Sequence, residues 1–98
     1  MENTPNVVTG NFSIKTHPVE VLFDSGATHS FISTRLVKIL WLVPVSEPTR
    51  LNIALPDGKA INCKEVCINC PIQIHGYNFL ADLYEFSWTK FGVILGMD

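Results

Sequence analysis

One carboxylate at the end of an apolar run is the residue of this sequence best placed to do chemistry. Asp24 follows the run 19–23 and precedes Ser25 and Gly26. Burial beside apolar residues disfavours the charged form of a carboxyl group, so such a group is poised to hold or share a proton. A serine hydroxyl can hydrogen-bond the backbone or a partner chain, and a glycine allows a close approach. The same residues could also form an ordinary hairpin turn, and the residue types leave both interpretations open.

Three thiols and an imidazole form a second group with possible chemistry. Cys63, Cys67, Cys70 and His75 are residue types that bind zinc, but their spacing matches neither a zinc knuckle nor a zinc ribbon. Alternation along a strand would put Cys63 and Cys67 on one face and Cys70 on the other. We therefore expect free thiols, no metal and no cofactor, with a zinc-bound interaction domain as a further hypothesis.

The remaining imidazole and indole groups have less specific interpretations. His29 lies five residues after Asp24 and could tune its chemistry, although a hydrogen-bonded polar role in the loop is more common for such a residue. Trp41 and Trp88 are expected to be core or edge aromatic residues.

The elements that must position Asp24 are predicted to be short strands. Runs of β-branched and aromatic residues bounded by Gly, Asp and Ser predict strands at 7–9, 11–14, 19–23, about 65–74, about 78–85 and 91–96. The mostly apolar run 19–23 indicates a strand that is covered on both faces. Residues 51–63 predict a hairpin, because apolar residues alternate before a Pro-Asp-Gly turn.

One helix is predicted, over residues 33–42. Apolar residues recur at helical spacing: Leu36, Ile39, Leu40 and Val43. Ser33 is a suitable N-cap, and Pro44 and Pro48 should stop the helix. One helix among six or seven short strands predicts a small all-β domain that is closed or strongly curved.

Size and charge exclude several classes of protein. The chain has 98 residues, of which 47% are hydrophobic and 16% charged, which suits one folded domain and argues against disorder. Its seven basic residues are scattered and its net charge is −2, so no basic stripe could neutralise phosphates and we expect no nucleic-acid partner. No apolar run approaches the roughly 20 residues of a membrane span. With no signal-peptide pattern and an odd number of cysteines, we expect an intracellular, cytoplasmic protein that binds no membrane.

Three segments in a fixed order resemble a known family. Residues 22–33 read Leu-Phe-Asp-Ser-Gly-Ala-Thr-His-Ser-Phe-Ile-Ser, and apolar residues followed by Asp-Ser/Thr-Gly-Ala are the active-site signature of retropepsin-like aspartic proteases. Residues 93–98, Val-Ile-Leu-Gly-Met-Asp, resemble the family's second element, two apolar residues followed by glycine. The hairpin at 51–63 lies between them, where the family has its flap. The three strings together resemble the protease segment of gypsy-type retrotransposon polyproteins from plants.

The resemblance implies an aspartic endopeptidase that works as a symmetric homodimer. Two carboxylates about 3 Å apart would share one proton, and each copy would supply its Asp24. Ser25 would hydrogen-bond across the dimer axis, while Gly26 and Ala27 would line the substrate channel and Thr28 would support the same loop. Water activated by the paired carboxylates would cleave the polyprotein.

The resemblance also implies how a peptide would be held. An extended peptide would add strand-like hydrogen bonds to the flap, whose tip would be Pro56, Asp57 and Gly58. Ile94 and Gly96 would contribute to a substrate pocket.

The sequence departs from the family pattern at three places. Gly92 stands where the family usually has an acidic residue, the flap tip has few glycines, and the chain stops at Asp98, before the family's C-terminal helix. We therefore expect residues 1–98 to form a single retropepsin-like domain that is truncated at its C-terminus. A second hypothesis follows from these departures: a proteolytically inactive fragment that serves as a dimerisation or peptide-binding module.

Overall fold

The computed structural model describes residues 6–8, 12–24, 28–54, 60–87 and 92–96. In this part of the chain there are nine strands and one helix. The strands are β1 Asn6–Val8, β2 Phe12–Ile14, β3 His17–Pro18, β4 Val21–Asp24, β5 Ser30–Ser33, β6 Val45–Ala54, β7 Ala60–Ile74, β8 Tyr77–Phe86 and β9 Val93–Gly96. The helix is α1 Thr34–Ile39.

All nine strands belong to one curled sheet, which confirms the predicted all-β retropepsin-like fold. The strand order is β1-β4-β9-β5-β8-β7-β2-β3, and β6 pairs with β7. The path has two ends, so the described strands form a half-barrel. β9, the last strand in the chain, lies between β4 and β5, where it pairs parallel with β4 and antiparallel with β5.

Three central strands separate two core clusters of the described residues. We call them the large cluster, which includes Ile14, Ile72 and Leu83, and the small cluster, which includes Cys63 and Phe86. Each central strand sends one residue to each cluster: Val21 and Leu22 from β4, Ile32 and Phe31 from β5, Val93 and Ile94 from β9. Apolar side chains are buried on both faces of these strands, which is why the run 19–23 lacks polar alternation.

The helix begins where the sequence predicts and ends earlier than expected. The Ser33 hydroxyl accepts a hydrogen bond from the Leu36 N–H at 3.2 Å and so caps the first turn. The C-terminus is closed by two reversed hydrogen bonds, Trp41 N–H to the Lys38 carbonyl and Leu42 N–H to the Val37 carbonyl. This is the Schellman pattern, with Trp41 in the left-handed region at φ 56°. The helix therefore ends at residue 39, before Pro44 can act, and no helix in the described ranges is long and apolar enough to cross a membrane.

Because of a bulge in β7, the cysteine side chains do not lie on the faces of the strand that the sequence predicts. The β7–β8 register shifts between Cys67 and Cys70, and Asn69 has a φ of 53°. The Asn69 N–H donates to Oδ1 of Asp82 at 2.8 Å, which satisfies the amide that the bulge removes from the ladder. The expectation that Cys70 faces away from Cys67 is therefore wrong, since both lie in the large cluster.

Several strand boundaries also differ from prediction. β5 was not predicted, because its four residues lie between the loop after Asp24 and the helix. β6 begins at Val45, and β7 runs unbroken from Ala60 to Ile74, where two separate strands were expected. The predicted hairpin is confirmed, since β6 pairs with β7 and Ala54 lies opposite Ala60. The strands predicted at about 65–74 and 78–85 are also confirmed, and they pair as β7 and β8 around a turn at His75 and Gly76.

Candidate active site

Asp24 is the last residue of β4, as the sequence predicts. The parallel ladder with β9 places Leu22 opposite Ile94 and Asp24 opposite Gly96. The backbone of Asp24 therefore leaves the sheet at the carboxyl ends of two parallel strands. The two family elements, which are far apart in sequence, meet at this point.

The small cluster lies directly before this strand end. Leu22 and Ile94 belong to it, together with Phe31 of β5, and all three side chains are buried. The end of β4 therefore adjoins a layer of apolar side chains. Ile94 is only 5% exposed, so most of its surface is used for packing within the subunit; its contribution to a substrate pocket stays a prediction.

Polar and aromatic side chains flank the start of β5. Oγ1 of Thr28 and Nδ1 of His29 share a hydrogen bond at 2.9 Å, and Thr28 is exposed. The His29 ring meets the Tyr84 ring edge-on, with 5.6 Å between centroids. His29 is thus a hydrogen-bonded polar residue of the loop, which confirms the more ordinary of its two interpretations.

A side-chain hydrogen bond that sequence reasoning missed joins β5 to β9. The Gly96 N–H donates to Oγ of Ser30 at 3.1 Å in a partly buried position. The β5–β9 backbone ladder ends with Phe31 opposite Ile94, so the hydroxyl serves an amide beyond that ladder. A serine at the entry to the apolar pair Phe31-Ile32 was the available signal, but its partner lies 66 residues away and no local pattern identifies it.

Six predicted site residues lie outside the described residues, and their roles stay predictions. They are Ser25, Gly26, Ala27, Pro56, Asp57 and Gly58. The arms of the hairpin that would carry the flap are described on both sides, as far as Ala54 and Ala60.

The structure does not bring the three thiols and His75 together. Cys63 lies in the small cluster, Cys67 and Cys70 lie in the large cluster, and His75 is exposed in the turn between β7 and β8. In the ranges that the structure describes, no group of three or more His, Cys, Asp or Glu side chains could hold a metal ion. Burial raises the pKa of each thiol, and for Cys67 the nearby Cys70 and Glu85 raise it further, to about 11.

The raised pKa of Cys67 predicts a loss of stability in alkaline solution. In the unfolded chain this thiol loses its proton near pH 9, whereas in the folded protein it keeps the proton to about pH 11. The folded state then binds more protons than the unfolded state, so the free energy of unfolding should fall as pH rises between these values. Urea unfolding across this range should show a steeper fall for the wild type than for Cys67→Ala. Parallel pH curves for the two proteins would contradict the prediction.

The fold and the position of Asp24 define a class of protein. In the curled sheet, the strand that ends at Asp24 pairs with the strand that ends in the apolar-apolar-Gly element, so the two sequence elements expected of an aspartic protease domain are neighbours. The model of the family described as "Retroviral aspartyl protease" matches residues 1–98, and the chain belongs to this family.

A solved structure supports the fold independently. The chain is similar to the retroviral protease-like domain of Ddi1 from Leishmania major, whose crystal structure it matches with a TM-score of 0.58. The identity is 20%, over 87% of this chain and 67% of that chain, so this likeness shows the fold alone. A comparison with curated proteins gives no match.

Proposed function

We propose that this chain is an aspartic endopeptidase that acts as a homodimer through Asp24 of each copy. The observation that carries the proposal is the register of Asp24 opposite Gly96 at the ends of two parallel strands, in a member of the retroviral aspartyl protease family. In that register the backbone of Asp24 lies beside the strand that carries the buried side chain of Ile94. The carboxyl group of Asp24 would then share one proton with that of a second copy.

The chemistry needs a second carboxylate, and the symmetry of a dimer supplies it. The other strand carboxylates whose contacts are described have structural partners: Asp82 binds the Asn69 amide, and Glu65 accepts a hydrogen bond from the Ser46 hydroxyl. A twofold axis beside the end of β4 would place the same residue of each copy face to face, since a C2 interface pairs identical patches.

The proposed reaction is hydrolysis of a peptide bond without a covalent intermediate. One carboxylate takes a proton from a water molecule while the oxygen of that water attacks the peptide carbonyl carbon. The other carboxyl group donates a hydrogen bond to the carbonyl oxygen as negative charge develops on it. Return of a proton to the amide nitrogen releases the amine product and restores the shared proton.

The proposed substrate is an extended polypeptide, by analogy with the polyprotein of a retrotransposon. The long β6–β7 hairpin projects main-chain donors and acceptors that could pair with an added strand. Residues 56–58 at its tip would then close over the peptide. An intracellular location, where such a polyprotein is made, is part of the same proposal.

A cleavage assay over a range of protein concentrations tests the proposal. We expect wild-type protein to cleave an apolar peptide best in acidic solution, because one carboxyl group of the pair must stay protonated. The rate per subunit should rise with concentration and level off where sedimentation shows a dimer. A strict monomer at micromolar concentration would overturn the dimeric mechanism. A folded dimer that binds peptide without cleaving it would establish the alternative function, a peptide-binding module.

A further inference from the structure

We propose that Ser30 is a positioning residue for Asp24, acting through the backbone of Gly96. This inference rests on the proposed function, since it assigns a role to a residue that does not itself touch the reacting atoms. Three described positions carry it: Asp24 at the end of β4, Gly96 at the end of β9 and Ser30 at the start of β5.

The two edges of β9 are held in different ways. On the β4 side the ladder runs from Val21 opposite Val93 to Asp24 opposite Gly96. On the β5 side the paired positions are Ile32 opposite Val93 and Phe31 opposite Ile94. The last two residues of β9 therefore have a backbone partner strand on one side only.

The Ser30 hydroxyl takes the place of backbone pairing on the β5 side of Gly96. Its oxygen accepts the Gly96 N–H at 3.1 Å, which is a good hydrogen-bond length for this pair. The group is partly buried, so loss of the oxygen would leave a donor without a protein partner. The end of β9 is then held between Asp24 on one side and Ser30 on the other.

The hydrogen bond between Gly96 and Ser30 bears on the geometry of the reaction. β4 ends at Asp24 and β5 begins at Ser30, and β9 lies between these two strands. Two strand spacings amount to about 10 Å, and this span is fixed only if β9 is attached to both neighbours. A carboxylate that must face its symmetry mate about 3 Å away tolerates little displacement, since misplacement by 1 Å can cost about a hundredfold in rate.

The test compares variants that differ only in the hydroxyl group. Ser30→Val and Ser30→Thr have side chains of the same shape, and both residues favour strands, but only threonine keeps an oxygen for the Gly96 amide. We expect Ser30→Val to lower kcat about tenfold or more with KM nearly unchanged, and Ser30→Thr to restore most of the rate. Ser13→Ala, which removes a serine hydroxyl from an exposed contact with Gln73, should keep the wild-type kcat.

A second readout is independent of catalysis. Amide hydrogen exchange at Gly96, followed by NMR, should be slow in wild-type protein and in Ser30→Thr but at least about tenfold faster in Ser30→Val. If exchange at Gly96 is the same in all three proteins, the proposed link between β5 and β9 is wrong. If exchange accelerates in Ser30→Val while kcat and KM stay at wild-type values, the link exists but does not position Asp24, and the inference fails.

The two readouts keep this inference distinguishable from the proposed function. Wild-type protein that dimerises but cleaves no peptide would overturn the proposed function and, with it, the catalytic part of this inference. Cleavage by the wild type together with an unchanged rate in Ser30→Val would leave the proposed function intact and overturn only the role of Ser30.

Discussion

Replacing Asp24 with asparagine is expected to lower the rate of peptide cleavage by at least about a hundredfold while leaving the sheet folded. Asparagine has the shape of aspartate but cannot accept and return the proton that the reaction moves. Because Asp24 pairs with Gly96 through its backbone, the substitution of asparagine should leave the β4–β9 ladder intact. The measurement is kcat/KM with an apolar peptide in acidic solution, together with circular dichroism and the midpoint of thermal unfolding.

The matched control for this experiment is Asp82→Asn. It makes the same chemical change in another strand, and the amide oxygen can still accept the hydrogen bond from the Asn69 N–H that holds the β7 bulge. We expect it to retain cleavage. Adding excess Asp24→Asn protein to the wild type should also reduce the wild-type rate, because mixed dimers contain one ionisable carboxyl group at the axis. Cleavage that survives in Asp24→Asn would refute the assignment of this residue as catalytic.

A side chain at position 92 is expected to destabilise the domain by about 1–3 kcal/mol. A Cβ built on Gly92 would lie 2.6 Å from Cδ1 of Leu36 and 3.4 Å from the carbonyl oxygen of Glu20. The backbone cannot easily move away, because the Gly92 carbonyl accepts the Ser33 N–H at 2.9 Å and the adjacent Val93 N–H donates to the Glu20 carbonyl at 3.0 Å. The Leu36 side chain must move instead, and it is packed in the large cluster.

A double-mutant cycle isolates this contact. We expect Gly92→Ala to cost less stability in a Leu36→Ala background than in the wild type, with a coupling energy of about 0.5–3 kcal/mol in urea unfolding. Gly76→Ala is the control: nothing lies within 4 Å of its Cβ, and its cost arises from a φ of +85°, so the Leu36 background should not alter it. Additive effects of Gly92→Ala and Leu36→Ala would show that the contact is unimportant. The same contact gives a structural reason for a glycine at position 92 of this chain.

Local patterns were sufficient for the elements whose partners are close in sequence. The β6–β7 hairpin was predicted because a Pro-Asp-Gly turn follows alternating apolar residues. Ser33 was recognised as an N-cap from its position before an apolar repeat. The early end of the helix was missed because the turn that closes it uses Trp41 in the left-handed region, a conformation that is usually reserved for glycine. The β7 bulge was also missed. Its extra residue reverses the alternation of side chains between the two faces of the strand after Cys67.

The candidate site was predicted in part, and the missing part depends on long-range pairing. Asp24 and Gly96 were identified through motifs, and the structure shows that they are register partners. β5 and the Ser30 hydrogen bond could not be found in this way, because β5 is four residues long and pairs with β8 and β9, both far along the chain. Pairing between segments so far apart depends on how the whole sheet is assembled and leaves little trace in any local window.

The position of β9 between β4 and β5 also sets the order in which the site can be assembled during synthesis. Asp24 leaves the ribosome early, but the strand that lies beside it is made of residues 93–96. Contacts between segments so far apart in sequence form late and slowly in folding. A nascent chain that has not yet reached Gly96 therefore holds Asp24 on a strand without its neighbour. The arrangement of Asp24 beside Gly96 can therefore form only after the segment that carries β9 has been synthesised.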